Sequence, residues 1–172
     1  MNANTITQID DDCKRITFET VSDKAAIADM ADKALTRIKK LCRGIDFDQF
    51  RIVLMEALGN ALLYGSLQIS SEIRDSKGED HFWQLVHQRE QDDRYRLKRI
   101  VLSIECRQGS LRCTIQDQGN GFDWKRRLML MNSKNIDAYH GRGIFIIKNY
   151  VDEISWNEKG NEITFVIHTI LP

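Results

Sequence analysis

The most constraining feature of the sequence is a long apolar stretch, FRIVLMEALGNALLYG, at residues 50–65. It predicts a helix that is buried on most sides and ends at Gly65. Glu56 and Asn60 interrupt its apolar centre, and their spacing of four places them on one helical face. Burying such groups without a partner costs on the order of a few kcal/mol. The pair is therefore either satisfied internally or lines a cavity that binds a polar ligand.

Composition and charge argue against several classes of function. The 172 residues are 42% hydrophobic and 29% charged, so we expect one globular domain over residues 1–172. Lys+Arg and Asp+Glu both total 25, which leaves no net charge to attract nucleic acid or an anionic membrane. No apolar run approaches the roughly 20 residues that span a bilayer. We expect no nucleic-acid and no membrane partner.

The N-terminus indicates the compartment, and the compartment in turn guides the interpretation of the cysteines. The first residues, MNANTITQIDDDCKR, lack the basic start and apolar core of a signal peptide, so we expect a cytoplasmic protein. The cysteines form no CxxC pair and the histidines are scattered, so we expect free thiols rather than a disulfide or a zinc site. The cysteines are Cys13, Cys42, Cys106 and Cys113.

The first part of the chain predicts one strand and two helices. Residues 15–21 alternate apolar and polar side chains, which indicates a strand at an edge of a sheet. The pair at 22–23 can cap an amphipathic helix that ends near Gly44. Asp46 or Asp48 then starts the long apolar helix.

Two features of the next part allow more than one interpretation. Gly59 inside the second helix either lets a ligand approach the backbone or packs closely on a strand. Residues 66–98 mix both charge signs and predict a loop followed by a short helix or one arm of a hairpin. This long connection is either a solvated insertion or a determinant of partner specificity. Phe82 and Trp83 indicate that part of it packs on this domain or on a partner.

The C-terminal half predicts two hairpins with a helix between them. Residues 100–106 and 111–117 alternate around a short turn, and residues 153–156 and 162–169 form the second hairpin. Residues 141–143, GRG, open the intervening apolar helix. The order of elements predicts an α+β fold, a two-layer sandwich with helices on one face of a mostly antiparallel mixed sheet.

Three short motifs carry groups that suit a nucleotide. Glu56 and Asn60 allow two interpretations. Either they bind a hard cation together with phosphates while the glutamate acts as a base, or the pair is only structural. Asp117, followed by QGNGF, either accepts a hydrogen bond from an amine such as N6 of adenine or caps a turn. The glycines at 141–143 precede a helix, where free N–H groups bind phosphate and the arginine adds a charged donor.

In this order the motifs resemble the Bergerat-fold (GHKL) ATP-binding family. Its members include histidine-kinase catalytic domains, gyrase B, MutL and the heat-shock chaperone ATPases. Their N, G1 and G2 boxes are similar to MEALGNALLYG, DQGNGF and GRGIFIIK here. The detailed match is closest to the anti-sigma-factor serine kinases, which share the EAxxNA form of the N box. The resemblance covers about residues 18–167, with residues 66–98 outside it.

The resemblance implies a role for each motif residue. Asn60 would be the Mg²⁺ ligand, and Glu56 would accept the proton of an incoming hydroxyl. Asp117 would recognise adenine, and residues 125–140 would form a mobile lid over ATP. The glycines that shape the adenine pocket would be Gly119 and Gly121, and the residues that hold the phosphates would be Gly141, Arg142 and Gly143.

By the same resemblance, the chain would be an ATP-dependent serine/threonine protein kinase and anti-sigma-type regulator of a bacterial partner-switching pathway. Its partners would be a small anti-sigma-antagonist protein, which accepts the phosphate, and a sigma factor. Homodimers are common among such kinases. The alternative is a nucleotide-dependent partner-binding module without kinase activity, and Glu56 favours the kinase.

Other branches of the family fit this sequence less well. A histidine kinase would carry a helical dimerisation segment with a phospho-accepting histidine before the domain, and a MutL-like or gyrase-like ATPase would carry a second domain after it. We expect neither, because the sequence shows no such segment. Tyr64 stands near the helix end, where family members often have histidine, and this departure leaves the partner open.

Overall fold

The computed structural model describes residues 4–10, 13–107, 109–132 and 142–168. Within them, six strands form one sheet in the order β1-β2-β3-β4-β6-β5, and every neighbouring pair is antiparallel. The strands are β1 Asn4–Asp10, β2 Cys13–Val21, β3 Arg99–Arg107, β4 Ser110–Asp117, β5 Glu153–Trp156 and β6 Glu162–His168. The helices are α1 Lys24–Leu41, α2 Phe47–Asn60, α3 Ile73–Lys77, α4 Glu79–Glu90, α5 Asp93–Arg96, α6 Trp124–Asn132 and α7 Arg142–Tyr150. A π-helical turn, Ala61–Ser66, continues α2.

The predicted α+β sandwich is confirmed. Along β3 and β4 every second side chain is buried against the helices, as the alternation in the sequence predicts. The opposite face carries polar pairs, among them Thr17 with Ser103 and Thr114 with Thr164, which contact through their hydroxyl groups. The core between sheet and helices includes Phe18, Met30, Leu54, Leu102 and Ile115. One apolar and one polar face are typical of a two-layer domain.

Strand β2 is not an edge strand, so that prediction is wrong. β1 pairs with it antiparallel from Asn4 opposite Glu19 to Asp10 opposite Cys13. On its other side β2 pairs with β3. β1 therefore occupies the edge that the sequence pattern assigned to β2.

The helix starts follow the capping signals of the sequence. Asp23 caps α1 by accepting a hydrogen bond from the Ala26 N–H at 2.9 Å. Asp46 caps α2 by accepting from the backbone N–H groups of Asp48 and Gln49. The predicted end of α2 is less accurate, because the α-helix stops at Asn60 and the chain continues as the π-helical turn.

Residues 66–98 form three helices, α3, α4 and α5, that pack on the domain. Phe82 and Val86 of α4 are buried in the core. The Arg89 guanidinium donates hydrogen bonds to the carbonyl groups of Leu67 and Gln68, which fixes α4 to the end of the π-helical turn. The interpretations of this segment as a solvated insertion or a hairpin arm are therefore wrong.

Cys42 and Cys106 form a disulfide, with their Cα atoms 6.1 Å apart. Cys42 caps the C-terminus of α1, and Cys106 points inward from β3. Cys113 is a buried free thiol. The expectation of free thiols is wrong for Cys42 and Cys106. Tertiary packing joins these two cysteines, which are 64 residues apart and belong to no sequence motif.

The described residues contain only part of the predicted lid. α6 covers its first residues, up to Asn132. Residues 133–140 and Gly141 lie outside the described residues. Among the helices described here, none is both long and apolar enough to cross a membrane.

Candidate functional site

A cavity of about 630 Å³ lies between α2, the C-terminal end of β4 and the first turn of α7. Its volume is in the range of small-molecule sites, roughly 300–1,000 Å³. The predicted site residues that line it are Glu56, Asn60, Asp117, Gly121, Arg142 and Gly143. Gly119 lies behind this wall, against the carboxyl group of Asp117.

One end of the cavity brings Glu56 and Asn60 to the start of α7. Both side chains are half-buried near the C-terminal end of α2. A Cβ atom on Gly143 would lie 2.7 Å from Glu56 Oε2 and 3.1 Å from Asn60 Nδ2. Glycine thus permits the first turn of α7 to approach both side chains. N–H groups of a first helical turn lack helical acceptors and carry partial positive charge, so this end suits an anion.

The other end of the cavity contains the carboxyl group of Asp117. This residue ends β4 and is 9% exposed. Its Oδ1 accepts a hydrogen bond from the Gly119 N–H at 2.7 Å. Burial raises the pKa of Asp117 from 3.8 to about 6, opposed by that hydrogen bond and by the charges of Lys159 and Lys98. A buried acceptor in a cavity wall suits the amine of a purine base.

The turn between β5 and β6 fixes the backbone of Asp117. The Asp117 N–H donates to the Asn161 carbonyl at 2.9 Å, and Asn161 Nδ2 donates to the Asp117 carbonyl at 2.7 Å. Asn157 Nδ2 donates in turn to Asn161 Oδ1 at 2.9 Å. The sequence reading missed both asparagines, because no local pattern links this turn to the end of β4.

Gly65, predicted as a helix end, packs directly against Asp117. A Cβ atom on Gly65 would lie 2.4 Å from Asp117 Cγ, and one on Gly119 would lie 2.3 Å from the Gly65 carbonyl oxygen. Gly65 is not among the glycines with positive φ. It therefore serves a close approach between the π-helical turn and the Asp117 loop, rather than a left-handed helix cap.

Gly121 shapes the cavity through its backbone conformation. Its φ is +74°, a value that L side chains rarely adopt, and a Cβ atom there would lie 1.9 Å from the Lys159 carbonyl oxygen. Glycine is thus required for the loop after β4 to pass under the β5–β6 turn. The predicted role of Gly121 as a pocket-shaping residue has a structural basis in this contact.

Aromatic side chains form a wall that the sequence reading did not identify. The rings of Trp124 and Trp156 stack with centroids 5.7 Å apart, and Phe122 meets Trp156 edge-on at 6.4 Å. Trp124 Nε1 donates a hydrogen bond to the Asn157 carbonyl at 2.9 Å. Phe122 and Trp156 line the cavity together with Asp117. An apolar wall beside one polar acceptor suits a flat heterocyclic ring.

Positive side chains reach the cavity from three helices. The arginines in its lining are Arg74, Arg126, Arg127 and Arg142. Residues 66–98 also contribute Ile69, Ser70 and Ser71. The segment outside the sequence resemblance is therefore part of the cavity wall.

Asn60 offers an amide oxygen in a place that suits Mg²⁺. No group of three or more His, Cys, Asp or Glu side chains that could hold a metal occurs among the described residues. Mg²⁺ keeps several waters and is commonly bound through one or two protein ligands together with substrate phosphates. Because Asn60 and Glu56 lie beside the start of α7, whose N–H groups suit an anion, the residues present fit a cation that arrives with a phosphate ligand.

The domain has helices on one face of an antiparallel sheet and a glycine-lined cavity at one end. A model of the family described as the histidine kinase-like ATPase domain matches residues 19–167. This chain belongs to that family. No curated protein matches the chain. Domains of this family bind ATP, usually with Mg²⁺.

Proposed function

We propose that this protein is an ATP-dependent serine/threonine protein kinase and an anti-sigma-type regulator of a bacterial partner-switching pathway. The observation that carries the proposal is the position of Glu56, a cavity-lining carboxylate beside the first turn of α7. A domain that only binds nucleotide needs no carboxylate at this place, whereas phosphoryl transfer to a hydroxyl group uses a base there.

In the proposed complex, ATP spans the cavity from Asp117 to Gly143. Asp117 accepts a hydrogen bond from the N6 amine of adenine, and Trp156 and Phe122 provide the apolar wall for the ring. The first turn of α7 and Arg142 bind the phosphates. Residues Gly119 and Gly121 hold the loop after β4 in the shape that admits the base.

Glu56 acts as the general base in the proposed reaction. The hydroxyl oxygen of a serine or threonine attacks the γ-phosphorus, Glu56 accepts its proton, and the bond to the β-phosphate oxygen breaks to release ADP. Asn60 holds Mg²⁺, which when bound neutralises charge on the phosphates. Positioning and charge neutralisation supply most of the catalysis in phosphoryl transfer, so one base and a few donors suffice.

The proposed acceptor is a small anti-sigma-antagonist protein, and a sigma factor is the proposed output partner. The support is the EAxxNA form of the N box and the family membership of the chain. Residues 125–140 are the proposed ATP lid, and its first residues, on α6, include Arg126 and Arg127 in the cavity wall. Closing a lid over the phosphates would exclude water from the reaction.

The proposal is tested by capturing the partner with the wild-type protein in ATP and Mg²⁺ and by mapping phosphoserine and phosphothreonine on it by mass spectrometry. The Glu56→Gln variant keeps the shape of the side chain but removes the base. We expect it to transfer phosphate at least about 100-fold more slowly. Its ATP affinity in a calorimetric titration should stay within about threefold of wild type, because glutamine retains the polar contacts.

Glu153→Gln is the matched control, since it neutralises an exposed carboxylate on β5 outside the cavity. It should transfer phosphate at the wild-type rate. Wild-type transfer by Glu56→Gln would overturn the base assignment. Capture of a partner that never becomes phosphorylated would favour the nucleotide-dependent binding module instead.

A further inference from the structure

Helix α3, in the segment 66–98, places Arg74 in the wall of the cavity. The same wall contains Tyr64, which follows Asn60 by one helical turn. Burial raises the pKa of Tyr64; among the charges that act on it, Arg74 has the largest effect and lowers the pKa, and Glu56 comes next and raises it. Arg74 and Glu56 therefore both lie within electrostatic reach of Tyr64, and all three side chains line the cavity.

The Arg74 guanidinium is held in a fixed orientation by α4. Its Nε lies 2.7 Å from Glu79 Oε2, and its Cζ lies 4.1 Å from the centroid of the Phe82 ring. Phe82 is fully buried, and the Arg74 side chain is 32% exposed. A guanidinium fixed by an ion pair and an aromatic ring loses little conformational entropy when it binds a ligand.

The arrangement leaves suitable donors for a phosphate. A guanidinium has five N–H donors, and the one on Nε lies near Glu79 Oε2 without forming a hydrogen bond to any described residue. The terminal amino groups form the fork that pairs with phosphate oxygens in a bidentate manner. Arg74 thus lies in the cavity wall, is held by contacts with Glu79 and Phe82, and has the donor geometry that phosphate recognition uses.

We propose that Arg74 binds the phosphate chain of ATP, so that the segment 66–98 supplies a nucleotide contact from outside the three motifs. The inference deepens the proposed function and rests on ATP occupying this cavity. It also gives the segment a role in binding the ligand, in addition to its packing through Phe82 and Val86.

The test compares the affinities for ATP and for adenosine by calorimetry in Mg²⁺. Arg74→Gln should weaken ATP binding about tenfold, because a charge-assisted bidentate contact is lost. Adenosine has no phosphate, so its affinity should stay within about twofold of wild type. Arg74→Lys, which keeps the charge but not the fork, should weaken ATP binding by an intermediate factor.

Arg94→Gln is the matched control within the same segment. Arg94 lies on α5, its side chain is 80% exposed, and it pairs with Asp92 outside the cavity lining. This variant should bind both ligands as wild type does. An equal loss of ATP and adenosine affinity in Arg74→Gln would mean that Arg74 only supports the structure, and an unchanged ATP affinity would mean that it makes no contact. Should Arg74→Gln not fold, a wild-type ratio of ATP to adenosine affinity in Arg74→Lys would overturn the proposal.

The outcome is separable from that of the kinase proposal, because it is measured without an acceptor protein. A wild-type protein that binds neither ligand would overturn the ATP site and the role of Arg74 together. A protein whose ATP affinity depends on Arg74 but which phosphorylates no partner would overturn the kinase proposal alone.

Discussion

The carboxyl group of Asp117 lies in surroundings that disfavour its charged form, although the proposed contact with adenine uses that form. Its burial outweighs the Gly119 hydrogen bond and the two lysines, which raises the pKa to about 6. In the unfolded chain the pKa returns to about 3.8. At neutral pH the folded protein therefore holds an ionised carboxylate that would be more stable in water, which lowers the free energy of unfolding. The same carboxylate is the group proposed to bind adenine.

Asp117→Asn should stabilise the free protein and weaken nucleotide binding. The pKa of Asp117 is higher in the folded wild type than in the unfolded chain, so protonation of Asp117 favours the folded state. The wild type therefore loses stability as pH rises from about 4 to about 6. At pH 7 the variant should be more stable by up to roughly 3 kcal/mol in a urea titration. The difference should vanish below about pH 4, where both states are protonated.

The ATP affinity of the same variant should fall about tenfold or more in calorimetry, because an amide presents donors as well as an acceptor to the base. Unchanged affinity would contradict the adenine assignment. A variant that is less stable than wild type at pH 7 would contradict the account of the Asp117 environment.

Single residues differ in how far the sequence reveals them. Asp117 and Asn60 are predictable, because each belongs to a short motif with local chemical meaning. Asn161 and Trp156 are not, because they reach the site through the pairing of β6 with β4 and of β5 with β6. Their contacts depend on residues that are far away in the chain, so no local periodicity marks them.

Among the elements, the π-helical turn after α2 is the one that brings Gly65 to the site. Gly59, six residues earlier, is also a glycine but has different surroundings, since a Cβ atom there would meet nothing within 4 Å. The close packing on a strand that the sequence suggested for Gly59 is therefore not present, while the approach of a ligand stays a prediction. The two glycines therefore form a matched pair in one continuous helical segment.

Gly65→Ala should disrupt the contact with Asp117 and destabilise the protein by about 1–3 kcal/mol, as overpacking commonly does. Its ATP affinity should also fall, because the added methyl group displaces the carboxyl group. Gly59→Ala should raise stability by up to about 1 kcal/mol, because alanine is the better helix former. Thermal unfolding and calorimetry of both variants provide the measurement, and equal behaviour of the two would contradict the packing argument.

The helices of residues 66–98 were the elements least accessible to sequence reasoning. α4 buries Phe82 and Val86, but polar or charged residues at most of its other positions obscure the apolar face. α3 and α5 contain five and four residues, which is too short for a periodic pattern. Only tertiary packing defines these helices, and Arg74 enters the cavity wall because of it.

At the scale of the whole molecule, the disulfide between Cys42 and Cys106 joins the helical layer to the sheet. Cross-linking residues that are 64 positions apart restricts the unfolded chain. A Cys42→Ser, Cys106→Ser double variant should lose about 2–4 kcal/mol of stability. Denaturant titrations of the variant, and of the wild type with and without reductant, measure the loss. Insensitivity of the wild type to reductant would contradict a stabilising disulfide.

The overall architecture was more predictable than the cross-link. Alternation in β3 and β4 and the periodicity of α1 are local signals, and together they determine the two-layer arrangement. β1 escaped the sequence reading because the aspartates at 10–12 favour a turn or a solvated loop over a strand. β1 pairs with the strand that directly follows it in the chain, from Asn4 opposite Glu19 to Asp10 opposite Cys13.

The same cross-link divides the covalent topology of the chain into a ring, residues 42–106, with an N-terminal tail before it and a C-terminal tail after it. The ring closes at Cys42 and Cys106 and contains Glu56, Asn60 and Arg74. Asp117 and α7 belong to the C-terminal tail. The cavity is thus assembled from both parts. A single backbone cut anywhere in the ring opens it without releasing a fragment, so the two halves of the site stay in one molecule until the disulfide is reduced.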